Sequence, residues 1–237
     1  MENKKCLLNP IVFSKDLLHF INSYDGKDYH MWGRDCEEMK KIRSELREHY
    51  RPEQNNLCSY CRLENPQSHG LSWDVEHIAP KKDFPQYLFE PRNLSLSCKD
   101  CNNYKNKKPV VNDELIKNDA PYPESGDVFN IIHPHYDEYE CHIQTTKVDN
   151  KYIYKPVSKK GWATYEQCKL SRFATYHSHN INNANVAEAL LLRLQELSRS
   201  GKIVISEVDM SLIEDDLSTK PLEIVVETAF KSHFSEE

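Results

Sequence analysis

The sequence predicts an α+β fold, a compact ββα unit with a helical segment before it and a mainly helical extension after it, and three observations point there. Two short segments, residues 73–78 and 94–97, alternate apolar and polar side chains at the period of a strand. Upstream, Met39, Ile42 and Leu46 recur at helical spacing among charged residues over positions 35–50. Downstream, residues 162–176 and 185–198 carry apolar stripes at the same spacing, with Val186, Leu190, Leu194 and Leu197 on one face of the second.

In chain order, the first helix is expected to stop at Arg51-Pro52, because a proline disfavours helical backbone in the residue before it. The strand over 73–78 is halted by Pro80, and the returning strand over 94–97 leads into one or two helical turns from Cys101. Residues 113–140 are rich in Pro, Asp and Tyr without clear periodicity, and 152–154 read as a further strand. Gly201 suits the end of the helix over 185–198, and a last helix is expected near Pro221 with Thr219 as its cap. These elements divide the chain into an N-terminal helical segment (1–52), a central core (53–120) and a mainly helical C-terminal extension (121–237).

Composition narrows the function. The formal net charge of −6 means that any nucleic-acid contact must come from a local basic patch rather than from the global field. The six glycines are scattered, so there is no Gly-rich phosphate loop. No apolar run approaches the roughly 20 residues of a membrane span. The N-terminus lacks the apolar core of a secretion signal. Of eight cysteines, four are paired by spacing and four (Cys6, Cys36, Cys141 and Cys168) are isolated, a usage that fits a reducing cytoplasm better than a secreted disulfide framework. The isolated four are expected to be ordinary thiols.

The paired cysteines, Cys58-Ser-Tyr-Cys61 and Cys98-Lys-Asp-Cys101, have the spacing of a four-thiolate zinc site. The two pairs are 37 positions apart, so an inserted hairpin must bring them together. Four thiolates leave a tetrahedral zinc no open position, which makes the site structural, and zinc binding then adds folding free energy to a unit with little core.

Between and beside the pairs lie Glu76-His77, Asn93 and Asn102. Phosphodiester hydrolysis needs a base for water, a group that orients the base, and a cation for the leaving oxygen. A neutral His77, the amide of Asn93, and the oxygen donors of Glu76 and Asn102 around Mg²⁺ or Mn²⁺ meet those needs. Strand alternation points Glu76 and His77 to opposite faces, and a twist or bulge near Pro80 is the expected means of joining them. Asn103 competes with Asn102 as the ligand, and a turn cap is the plain alternative for Asn93. Lys99, Lys105, Lys107 and Lys108 against a single Asp100 form a basic run, read either as a solvated helix face or as a phosphate contact, best for Lys105. His133, His135, Asp137, Glu138 and His142 form a second cluster of metal-ligand types, but their spacing matches no zinc pattern, and a polar segment packed on the core is the favoured account.

At these residues the chain resembles the HNH endonucleases, a zinc-stabilised ββα-metal family. The matching string runs through Cys58-Ser-Tyr-Cys61, Glu76-His77-Ile78-Ala79-Pro80, Asn93-Leu94 and Cys98-Lys-Asp-Cys101-Asn102-Asn103-Tyr104-Lys105. The resemblance implies His77 as general base, Asn93 as its orienter, and Glu76 and Asn102 as ligands of one divalent ion. It implies a DNA endonuclease, with nicking of one strand as one form of the activity. Trp32 and the string Phe129-Asn-Ile-Ile-His-Pro-His-Tyr-Asp-Glu-Tyr extend it to PtuB-like HNH effectors of bacterial anti-phage systems of the Septu and retron-associated kind. Such proteins act beside an SMC-like or ABC-like ATPase. The rival expectations are a non-catalytic zinc module that binds nucleic acid or a protein, and an HNH nuclease directed at RNA.

Overall fold

The structure, a computed structural model, describes residues 7–67, 72–105, 109–111, 120–148 and 151–175. The chain divides into two units, one of Met1–Ile143 with Val157–Lys169 and one of Gln144–Pro156 with Leu170–Glu237. Cys6, Lys107, Lys108 and the helices expected over 185–198 and near Pro221 lie outside the described residues. Among the described residues, no helix is long and apolar enough to cross a membrane.

The first unit is built on α2 (Glu37–Glu53), whose Met39, Ile42, Leu46 and Tyr50 form one fully buried stripe. Each such side chain contributes about 1.5–3 kcal/mol on leaving water. The stripe packs on a two-stranded antiparallel sheet of β1 (Asp74–His77) and β2 (Leu94–Ser97), and α1 (Lys15–Asn22) covers another part of the helix. The free edge of β2 is closed by side chains. Gln54 accepts from Leu96 N at 2.7 Å and donates to Leu96 O at 2.9 Å, and the Ser59 hydroxyl donates to the same carbonyl. This substitutes for a third strand and joins the end of α2 to the hairpin.

The expected stop of α2 at Arg51-Pro52 is corrected by the structure: the helix runs to Glu53 with Pro52 inside its last turn. Termination falls instead on Asn55 and Asn56, both in the left-handed region (φ 52° and 57°), which asparagine tolerates better than most residues. Both hairpin strands and the helix after them, α3 (Lys99–Lys105), lie where their periodicity puts them.

The remainder of this unit includes the segment 129–142 and α4 (Lys159–Gln167). Ser158 caps α4, and Gly161 is required there because a Cβ would meet the His142 carbonyl oxygen at 1.9 Å. Lys160 pairs with Asp137 at 2.6 Å, and Thr164 accepts from Ile132 N. The single helix expected over 162–176 is corrected to α4 and a short α5 (Arg172–Thr175), with Lys169 left-handed between them (φ 48°). In the second unit, α5 and β4 (Lys151–Pro156) are in contact, and Tyr154 and Phe173 have ring centroids 5.6 Å apart. The second sheet is two-stranded, β3 (Ile143–Val148) with β4.

The histidines of 129–142 are core groups. His133 Nδ1 accepts from His135 N at 3.3 Å, and its Nε2 donates to the Tyr122 hydroxyl at 2.8 Å. That hydroxyl in turn donates to Asn93 Oδ1 at 3.2 Å. His135 lies between the carbonyls of Leu94 (2.8 Å) and Leu8 (3.2 Å). Burial pushes both imidazoles below the usual histidine pKa, His133 the further of the two. Such groups bind protons in the unfolded chain before they do in the native one. Their stabilisation is present above about pH 6.5 and is lost as pH falls, by up to about 1.4 kcal/mol per pH unit for each histidine. Denaturant titrations at pH 7.5, 6.0 and 5.0 should therefore show a progressive loss of stability, and His133→Gln should flatten that dependence.

Candidate active site

Both ends of the hairpin meet at sulfur. The ligand atoms of Cys58, Cys61, Cys98 and Cys101 all lie within 4.8 Å of one another, and among the described residues this is the one such cluster. Cys61 Sγ and Cys98 Sγ are 3.9 Å apart, close to the roughly 3.8 Å edge of a tetrahedron with about 2.3 Å zinc–sulfur bonds. The first pair sits on a tight knuckle closed by Cys58 N on Leu63 O and by Arg62 in the left-handed region (φ 54°). Backbone amides of Cys98 and Cys101 donate to Cys58 Sγ and Cys98 Sγ, as expected where thiolates need stabilising. The donor set therefore fits a closed zinc site. Cys168, expected to be an ordinary thiol, is fully buried against Cys101, and hydrogen bonds from Cys168, Cys58 and Cys61 push the Cys101 thiol below the usual range.

Cys98 follows β2 directly and Cys101 lies in α3, so the cluster sets the direction of α3 across β1. Asp74 and Glu76, two residues apart on β1, share one face, and α3 presents Asn102 and Lys105, three residues apart, toward it. Asn102 Nδ2 donates to Asp74 Oδ2 at 2.9 Å, and Lys99 pairs with Asp74 Oδ1 at 2.9 Å. Glu76 is 1% exposed and pairs with Lys105, itself 4% exposed. The same Glu76 oxygen accepts from the Tyr60 hydroxyl at 3.1 Å. Thus Asn102 meets Asp74, not Glu76, and Lys105 is turned inward rather than outward to solvent. Asp74, Glu76 and Asn102 bring oxygen donors, the ligand type a hard divalent ion takes, to one strand face, while each carboxylate is paired with a lysine.

His77 leaves the opposite face, because β1–β2 pairing continues unbroken through His77↔Leu94. No bulge joins it to Glu76; the link is Lys105, whose Nζ also donates to the His77 carbonyl at 2.9 Å. His77 Nε2 donates to Leu88 O at 3.2 Å, which leaves Nδ1 as the proton-accepting nitrogen of the neutral ring. Trp32 stands edge-on to the imidazole with centroids 4.4 Å apart. Burial, reinforced by the Lys81 and Lys105 charges and opposed by the Leu88 carbonyl, lowers the His77 pKa to about 3, so the ring is neutral at physiological pH.

Asn93 makes no hydrogen bond to His77. Its Oδ1 accepts from Ala79 N at 2.7 Å, and its Nδ2 donates to Ala79 O and Tyr87 O. It holds closed the loop between β1 and β2, the loop that carries Leu88 to the imidazole.

The family model for HNH endonuclease matches residues 58–108, the stretch that holds all four clustered cysteines, both strands and α3. Residues 58–108 form an HNH domain. The chain is also 38% identical over 65 residues to Septu protein PtuB of Bacillus thuringiensis, and that match covers 24% of each chain. The chain is thus matched to about a quarter of that relative's length. No solved structure matches.

Within the HNH domain, the structure groups Cys58, Cys61, Cys98 and Cys101 and lays α3 along the face of Glu76. It also adds groups that the residue pattern did not single out. Asp74 takes the Asn102 amide, Tyr60 supports Glu76, and the Leu88 carbonyl orients His77. Tyr60 sits inside a matching string and Asp74 two residues before one, and knuckle spacing and strand alternation could have found them. Leu88 acts through its backbone, for which no side-chain signal exists.

Asn93→Ala should leave buried backbone groups of the loop unsatisfied, each worth about 1–3 kcal/mol. We expect a loss of at least about 2 kcal/mol in urea denaturation, with faster amide exchange at Ala79.

Proposed function

We propose that this protein is a metal-dependent HNH endonuclease that hydrolyses DNA phosphodiesters, with single-strand nicking as its simplest product, and that it serves as an effector in bacterial anti-phage defence. The observation that carries the reading is the neutral, carbonyl-oriented His77 at the end of a strand whose other face is lined with oxygen donors opposite α3.

In this reading His77 Nδ1 takes a proton from water, and the resulting hydroxide attacks phosphorus in line as the bond to the leaving oxygen breaks. The Leu88 carbonyl keeps Nε2 protonated, so the lone pair stays on the working nitrogen. Asn93 acts one step back as a positioning residue, through the loop it closes. Glu76 and Asn102 would hold Mg²⁺ or Mn²⁺, and Asp74 engages the amide nitrogen of Asn102 rather than its oxygen. A divalent ion there would supply positive charge to the leaving oxygen. Zinc on the four cysteines keeps the hairpin and α3 together, and Lys105, Lys107 and Lys108 contact phosphates.

Likeness to Septu protein PtuB supports the defence role. An SMC-like or ABC-like ATPase is the partner this role calls for. With a net charge of −6 the chain gains little attraction to DNA on its own, which favours delivery by such a partner in the cytoplasm.

Plasmid incubated with the protein and Mg²⁺ or Mn²⁺ should be nicked or cut. His77→Ala should lower the rate by roughly 10²–10⁴-fold, the usual contribution of a positioned general base. Equal cutting by wild type and His77→Ala would remove the catalytic role.

A further inference from the structure

Lys105 is an unusual lysine. It is 4% exposed, although it lies in a run of charged residues at the end of α3. Its ammonium sits where the two halves of the site meet, on the Glu76 carboxylate and 2.9 Å from the His77 carbonyl oxygen. Glu76 is equally enclosed, with Tyr60 on the same oxygen that Lys105 engages. A buried carboxylate requires a compensating charge, and here a side chain of the same domain supplies it.

We propose that Lys105 is a tethered cation that competes with the divalent ion for Glu76 and gives it up when a backbone phosphate takes the ammonium, so that nucleic-acid binding and metal loading are coupled. The inference rests on the reading of Glu76 as a metal ligand. Lys105 and Tyr60 both engage one oxygen of Glu76, and a divalent ion on either oxygen would stand beside the ammonium, where two buried cations repel strongly. Yet the ammonium cannot simply leave, because it would then be buried without an anionic partner. The substrate carries that partner: a phosphate oxygen beside the scissile bond is a charged acceptor suited to lysine. Asn102, one helical turn earlier, stays on Asp74, so α3 keeps its place while the Lys105 side chain changes partner. By linkage, DNA must then raise the affinity for the metal and the metal must raise the affinity for DNA by the same factor.

The test uses the full zinc-loaded chain with His77→Ala, which slows cutting and leaves the residue 77 carbonyl in place. Bound Mn²⁺ is measured by electron paramagnetic resonance with and without a short DNA duplex, and the signal that survives Glu76→Gln is subtracted to remove ions held by the DNA alone. The expected result is at least about tenfold tighter Mn²⁺ binding with duplex, a factor within the usual range of coupling between sites. Lys105→Met should bind Mn²⁺ tightly without duplex and show no further gain with it. Equal Mn²⁺ affinity with and without duplex, when both bind, overturns the proposal while leaving Glu76 a metal ligand. So does a gain that persists unchanged in Lys105→Met. Mn²⁺ binding that is indifferent to Glu76→Gln overturns the ligand reading as well. The duplex comparison needs no Lys105 variant, so it decides the matter even if Lys105→Met does not fold.

Discussion

Four sulfur atoms within 4.8 Å of one another hold the geometry on which the rest depends. Cys58 and Cys61 come from the knuckle after α2, while Cys98 and Cys101 come from the junction of β2 with α3. A hairpin with four residues in each strand is marginal alone. Joining the knuckle to the start of α3 fixes the helix that lies against the Asp74 and Glu76 face of β1. Without that junction, Asn102 and Lys105 would have no defined relation to Asp74 and Glu76.

Strand alternation then sorts the chemistry. Carboxylates at 74 and 76 go to the α3 side, and the imidazole at 77 goes to the side of Trp32 and Leu88. The two faces are joined at the strand end by Lys105, which touches a side chain of one residue and the backbone of the next. The loop that completes the imidazole environment is held by Asn93, and Asn93 is braced in turn by Tyr122 and His133. A segment well outside the HNH match therefore reaches the interior of the site through three hydrogen-bonded side chains.

Much of this was legible in the sequence where side-chain pattern and geometry are linked. Alternation located β1 and β2, the stripe of Met39, Ile42 and Leu46 located α2, and paired cysteines located the clamp. What escaped is governed by backbone and burial. The end of α2 depends on two left-handed asparagines rather than on Pro52, and the break before α5 on a left-handed lysine, neither of which periodicity records. Leu88 orients His77 through a carbonyl that every residue possesses. Lys105 reads in sequence as a phosphate contact or as one more charge on a solvated face, and only the fold reveals that it is enclosed with Glu76.

The central claim is that this sulfur clamp sets α3 against β1, and X-ray absorption at the zinc edge on purified protein addresses it most directly. The account predicts one zinc per chain surrounded by four sulfur atoms at about 2.3 Å. A first shell containing nitrogen or oxygen, or a folded protein that retains no zinc, would contradict it.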